Sequence, residues 1–142
     1  MRKPLSRCLV LSTCIAMTSC TDAESIKQEL AGTWSQRLDA ATQPAPAELE
    51  LRANGSFVAR NLPAKNGCPE QPGKRSLSGA GAWSLYDVSL RVDLNFKTYE
   101  DARCRTPILL GVFVQRGLFK TALVAYPRGV DDLSARVVLE RD

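Results

Sequence analysis

The sequence predicts an all-β domain, an antiparallel barrel or sandwich of about eight strands preceded by one short helix. Three observations carry that prediction. Period-two alternation recurs along the chain behind residue 32, most cleanly where Val88, Leu90, Val92, Leu94 and Phe96 alternate with Ser89, Arg91, Asp93 and Asn95, one face for a core and one for water. Turn-forming pairs, Asn54-Gly55 and Arg116-Gly117, separate alternating runs. Helical periodicity occurs near the start and has no second instance.

Residues 1–19 read differently from the rest. Arg2, Lys3 and Arg7 make a positive n-region, Leu9 to Met17 a short apolar stretch, and the small residues Thr18 and Ser19 lead into Cys20, the order of parts in an export signal. About nine apolar residues are too few to cross a bilayer that needs about twenty in a helix. The run Met17-Thr18-Ser19-Cys20 resembles the bacterial lipobox, in which the cysteine at the cleavage point takes a diacylglycerol group on its thiol; Met17 stands where Leu is usual. The resemblance implies removal of residues 1–19, lipid attachment at Cys20, and a mature chain, 20–142, of one domain.

Next in order is the helix. Thr21 or Asp22 can cap it, Glu24 completes a Thr-x-x-Glu capping box, Ile26 and Leu30 share a face, and Gly32 ends it. Strand-like runs follow at 33–38, 47–52, 56–60, 80–85 and 88–96, then 108–115 and 118–126 as a hairpin, with 135–140 last. Two stretches interrupt the rhythm: 40–46, a Pro-containing turn, and 61–76, a long Pro- and Gly-rich loop.

Cysteine and charge counts bound the environment. Cys8 and Cys14 leave with the signal and Cys20 carries the lipid, so Cys68 and Cys104 remain, both in loop-like surroundings, and in an oxidising envelope they are expected to form a disulfide. The competing reading is a reactive Cys104 thiol activated by Arg103 and Arg105. Of 19 basic residues three precede Cys20, and none of the 15 acidic ones do, which leaves 16 against 15. A nearly neutral mature chain without a run of like charges has no field to attract nucleic acid.

The run Leu30-Ala31-Gly32-Thr33-Trp34, a short helix leading into Gly-x-Trp at the first strand, resembles the opening of the lipocalins and their bacterial lipocalin-like relatives. The resemblance implies an up-and-down barrel whose bottom is closed by Trp34, with an arginine of the last strand packed across it. Arg136 and Arg141 are the candidates, and alternation with Val137 and Leu139 favours Arg141. A second copy, Gly81-Ala82-Trp83, lies outside the lipocalin pattern, and the family's Thr-Asp-Tyr motif is missing. Whether the barrel holds a ligand or is filled by its own side chains stays open at this point.

Absences decide most of the chemistry. The chain has no histidine, which removes the commonest general base and zinc ligand. Glu48 and Glu50 share one strand face, opposite Ala47, Leu49 and Leu51, and read as a solvated exterior rather than a glycosidase pair. Glu100-Asp101 and Asp131-Asp132 are too few oxygen ligands for calcium. Gly67, Gly73, Gly79 and Gly81 lack the lysine and following helix of a phosphate loop. Trp34 and Trp83 read as core plugs, and Arg103 and Arg105, with Lys97 and Tyr99 near them, as a recognition loop or a solvated one.

The hairpin over 108–126 is the sharpest clue to a surface. A two-residue turn at Arg116-Gly117 pairs Val114 with Phe119, Val112 with Thr121 and Leu110 with Leu123, and makes that face core. The other face then carries Leu109, Phe113, Leu118, Val124 and Tyr126, interrupted by Gln115 and Lys120, and is more apolar than a solvated exterior. Its cover is expected to be the helix through Ile26 and Leu30, a second copy of the chain, or another envelope protein. A slip of one residue would exchange the two faces.

These readings predict a lipid-anchored, periplasm-facing envelope protein with no catalytic site, cofactor or metal. Thr21 rather than Asp after Cys20 permits transfer to the outer membrane. The expected work is protein binding, as an inhibitor or immunity-type module, through Leu109, Phe113 and Tyr126 of the hairpin and Arg103 and Arg105 of the Cys104 loop. Carriage of a small apolar ligand is the alternative that the lipocalin resemblance implies; an apolar cavity would favour the carrier and a filled interior the binder. Cells fed a fatty-acid probe should label the wild-type protein and not Cys20→Ser, and label retained on the variant would refute acylation at that thiol.

Overall fold

The computed structural model describes residues 21–37, 45–65, 67–86, 90–127 and 136–142. One helix, α1 (Thr21–Leu30), precedes eight strands: β1 (Gly32–Gln36), β2 (Glu48–Leu51), β3 (Ser56–Pro63), β4 (Ser76–Tyr86), β5 (Arg91–Tyr99), β6 (Ile108–Arg116), β7 (Thr121–Ala125) and β8 (Val137–Arg141). Each strand pairs antiparallel with its neighbour in sequence and β8 pairs with β1, so the sheet closes into an up-and-down barrel without a free edge. Alternation of direction puts α1, the β2–β3 turn and the β6–β7 turn at one end, and the loops 64–75 and 100–107 at the other.

Alternate residues point inward and fill the barrel. Trp34, Leu49, Phe57, Leu62, Leu94, Phe96, Val112, Leu123 and Leu139 are all at most 1% exposed. The helix closes one end: Leu30 belongs to the core and Ile26 packs against it, so its apolar face enters the barrel mouth and does not lie on the outside of the β6–β7 hairpin. Trp34 donates its indole N–H to the carbonyl of Leu30 at 2.9 Å, and the Arg141 guanidinium lies over the Trp34 ring, 5.2 Å from its centroid. The expected crossing arginine is therefore Arg141. At the far end Ala64 and Cys68 of the 64–75 loop join the core.

Both glycine-tryptophan pairs have local reasons. Gly32 has φ +146°, and a Cβ there would stand 3.0 Å from Nη2 of Arg141. Gly81 pairs with Phe57 on one side and Phe96 on the other, and those rings meet edge to face at 4.9 Å. A register shift separates Ala80 from Gly81, and a Cβ on Gly81 would fall 1.9 Å from the carbonyl oxygen of Asn95. This is a barrel corner at which two backbones approach too closely for any side chain. Trp83 then enters the core and donates Nε1–H to the Arg52 carbonyl at 2.8 Å.

Several boundaries differ from the sequence reading, each for a backbone reason. β3 runs on to Pro63 through a bulge in which Asn61 takes φ +50° and donates its N–H to Ser78 Oγ, and β4 starts at Ser76. Ser, Gly and Pro hid both extensions inside an apparent loop. Asn54-Gly55 is a turn as expected, but Gly55 alone takes positive φ, +84°, and the loop has three residues with Arg52 N–H donating to the Ser56 carbonyl. Leu90 is not part of β5: it sits in the preceding turn at φ +48°, and Val88 lies outside the described residues.

The β6–β7 register also differs. Arg116 pairs with Thr121 and Val114 with Leu123, leaving a four-residue turn, 117–120. A two-residue primed turn needs positive φ at Arg116, which the chain does not adopt. Because the partner of Val114 moves by four residues, an even number, the inward and outward faces are kept, while Leu118 and Phe119 leave the strand for the turn. Gly81→Ala should lower stability by about 2 kcal/mol or more, as overpacking against rigid backbone does. A thermal melt should show a drop of about 10 °C, and an unchanged melting temperature would contradict the corner geometry.

Candidate functional site

Outside the barrel, β5, β6 and β7 carry a row of large side chains set by register. Tyr86 pairs with Arg91, Arg91 with Phe113, Phe113 with Val124, and Val124 with Val138. Arg91 stacks its guanidinium 4.1 Å from the Tyr86 ring centroid and forks onto Asp93 through Nε at 2.7 Å and Nη2 at 3.1 Å. Its stem runs across Gly111, where a Cβ would meet Arg91 Cδ at 3.1 Å. Phe113 meets Tyr126 edge-on at 5.4 Å. Together Arg91, Asp93, Leu109, Leu110, Gly111, Phe113 and Tyr126 line a groove of about 310 Å³.

Three of the five residues expected from the sequence, Leu109, Phe113 and Tyr126, meet in this groove; Arg103 and Arg105 are not among its lining residues and lie in the loop at the end away from the helix. Leu109 is 65% and Tyr86 55% exposed, so the groove has open apolar shoulders. Val124, on the same outer face, is buried. Arg91 lies on the outer face, as the alternation expects, and forms one wall of the groove. No pattern along the chain points to Tyr86, since only the β4–β5 register puts it beside Arg91. Among the described residues the groove holds no nucleophile, and the carboxylate on it, Asp93, is engaged by Arg91.

The second cluster is the disulfide end. Cys68 and Cys104 are bonded, with Cα atoms 5.5 Å apart, which removes the reactive-thiol reading of Cys104. Asp101 accepts hydrogen bonds from the Arg103 side chain and backbone N–H, from Gln71 Nε2 at 2.6 Å and from Lys74 Nζ at 3.0 Å. Glu70 reaches across in the other direction and accepts from the Thr106 hydroxyl at 2.5 Å and its N–H at 2.9 Å. The loops 64–75 and 100–107 are thus joined by one covalent and several polar links. Arg103 is engaged with Asp101, while Tyr99 stacks on Phe96 and donates its hydroxyl to the Thr106 carbonyl.

The other acidic candidates have structural partners or lie elsewhere. Glu48 pairs with Arg60 and Glu50 with Arg52 on the outer face, as a solvated exterior would. Asp131 and Asp132 lie outside the described residues. Among the described residues no helix is long and apolar enough to cross a membrane. Compared with known proteins, the chain matches no family model, no curated protein and no solved structure.

The donors around Asp101, Arg103 first and Gln71 next, hold its carboxyl well below the usual carboxylate range, and the Thr106 hydroxyl lowers that of Glu70. A folded-state pKa below the unfolded one means stabilisation present above about pH 4 and lost as pH falls through the folded value. Melting curves between pH 7 and pH 2 should therefore show wild type above Asp101→Asn at neutral pH, with the gap starting to narrow below about pH 4 and still narrowing at the acid end. A gap that is constant with pH would show that the carboxylate charge is not what holds the loops.

Proposed function

We propose that this chain is an exported lipoprotein, cleaved before Cys20 and tethered there to the envelope, whose single domain faces the periplasm from the outer membrane. It acts as a protein-binding module and not as an enzyme. The signal-like residues 1–19 and the lipobox resemblance support the anchor. One structural observation carries the binding reading: the barrel interior is occupied by its own side chains while an aromatic and cationic groove stands open on the outside of β5 to β7.

Lipocalin-like carriage would need apolar space inside the barrel, where Trp34, Phe57 and Phe96 are buried instead, the last two ring against ring, so the filled interior supports the binder over the carrier. Tyr86, Arg91, Phe113 and Tyr126 are of the residue types that anchor protein interfaces, large and amphipathic, with a guanidinium already held in place. An inhibitor or immunity-type role fits such a surface.

A photo-crosslinking amino acid placed at Leu109 or Tyr86 in living cells should trap a protein partner, and one at Glu48 should not. Phe113→Ala or Tyr126→Ala should weaken capture by about thirtyfold, the effect of losing an anchor of about 2 kcal/mol. Capture unchanged by both substitutions, or equal crosslinking at Glu48, would place the binding surface elsewhere.

A further inference from the structure

We propose that the β6–β7 turn is a membrane-contact element, in which Leu118 and Phe119 enter the lipid surface that holds Cys20 and set the helix end of the barrel against it. The proposal rests on the lipid-anchor reading above. Leu118 is 96% and Phe119 99% exposed, two adjacent large apolar side chains with almost no contact to the rest of the protein. A single exposed apolar residue is ordinary, but a Leu-Phe pair at the tip of a closed turn contributes nothing to this fold and is a liability in water. The turn itself is well held: Gly117 donates its N–H to the Lys120 carbonyl at 2.8 Å, and Lys120 pairs with Glu140.

Position selects the occupant. Arg116, at the base of the turn, pairs with Glu29 in the last turn of α1 at 3.0 Å, so the tip projects from the helix end of the barrel. The helix begins at Thr21, one peptide bond after Cys20. Ten helical residues span about 15 Å, so a lipid on Cys20 has no linker with which to hold the barrel away from the bilayer. The end that carries α1 must lie at the lipid surface, and the Leu118-Phe119 tip lies at that end. Arg116 and Lys120 flank the pair at the level of the headgroups, but each already faces a carboxylate, so the attraction comes from apolar insertion and not from net charge.

The test uses the full chain expressed in cells, purified from membranes and reconstituted into vesicles of phosphatidylethanolamine and phosphatidylglycerol with plain or brominated acyl chains. In Phe119→Trp, and independently in Leu118→Trp, the introduced indole should emit at shorter wavelength with vesicles and be quenched by the brominated chains. Wild type supplies the baseline, because Trp34 and Trp83 are 1% and 3% exposed. Intact mass reports acylation in the same samples. An acylated protein without quenching overturns the turn contact and leaves the anchor standing; quenching in a protein that proves unacylated does the reverse, and neither signal overturns both. A blue shift without bromine quenching, or one that grows with protein concentration in the absence of lipid, assigns the tip to a protein neighbour and overturns the proposal.

Discussion

The barrel depends on one joint between its first and last strands, and the Arg141 guanidinium is at its centre. It lies over the Trp34 ring and donates to the carbonyls of Glu29 and Ala31 at the C-terminus of α1. Those carbonyls have no partner inside the helix, and a cation there also meets the negative end of the helix dipole. Trp34 takes a third carbonyl, that of Leu30. One side chain thereby ties the helix, β1 and β8 together where the sheet must close, and Gly32 leaves room for it. Ser35 and the terminal Asp142 add a side-chain contact across the same seam.

Closure from this end and from the disulfide end accounts for the filled interior. Helix residues Ile26 and Leu30 enter from one side, while Ala64 and Cys68 enter from the other. The aromatic rings between them use the space that the glycine corner at Gly79 and Gly81 creates by letting β4 and β5 approach. A barrel packed in this way offers its surroundings only its outer faces and its loops. The exposed aromatic and cationic groups on β4 to β7 belong to those outer faces. The two barrel ends differ in character: one is drawn together by a covalent bond and carboxylate clamps, and the other is closed by a helix and carries a tip of bare apolar side chains.

Much of this was legible in the residues because it depends on local pattern. Alternation located every strand, since period two follows from the pleat. Gly-x-Trp marked the closing tryptophan, and the parity of Val137, Leu139 and Arg141 selected the arginine. Two leftover cysteines identified the bridge. A turn at Arg116-Gly117 is not the one the hairpin adopts, yet the faces it implies are kept because the displacement is an even number of residues.

What the sequence determined by itself was the class of fold, the disulfide, the closing pair and three members of the outer groove, all consequences of spacing along one strand or of a count. Tertiary structure alone decided the rest. That Arg91 and Tyr86 join Phe113 follows from the β4–β5 and β5–β6 registers, which align residues far apart in sequence. That Leu118 and Phe119 stand in solvent rather than in a strand follows from the backbone angle that Arg116 does not adopt. That the helix enters the barrel end rather than covering the hairpin follows from closure, because only a closed sheet has a mouth that Leu30 can fill.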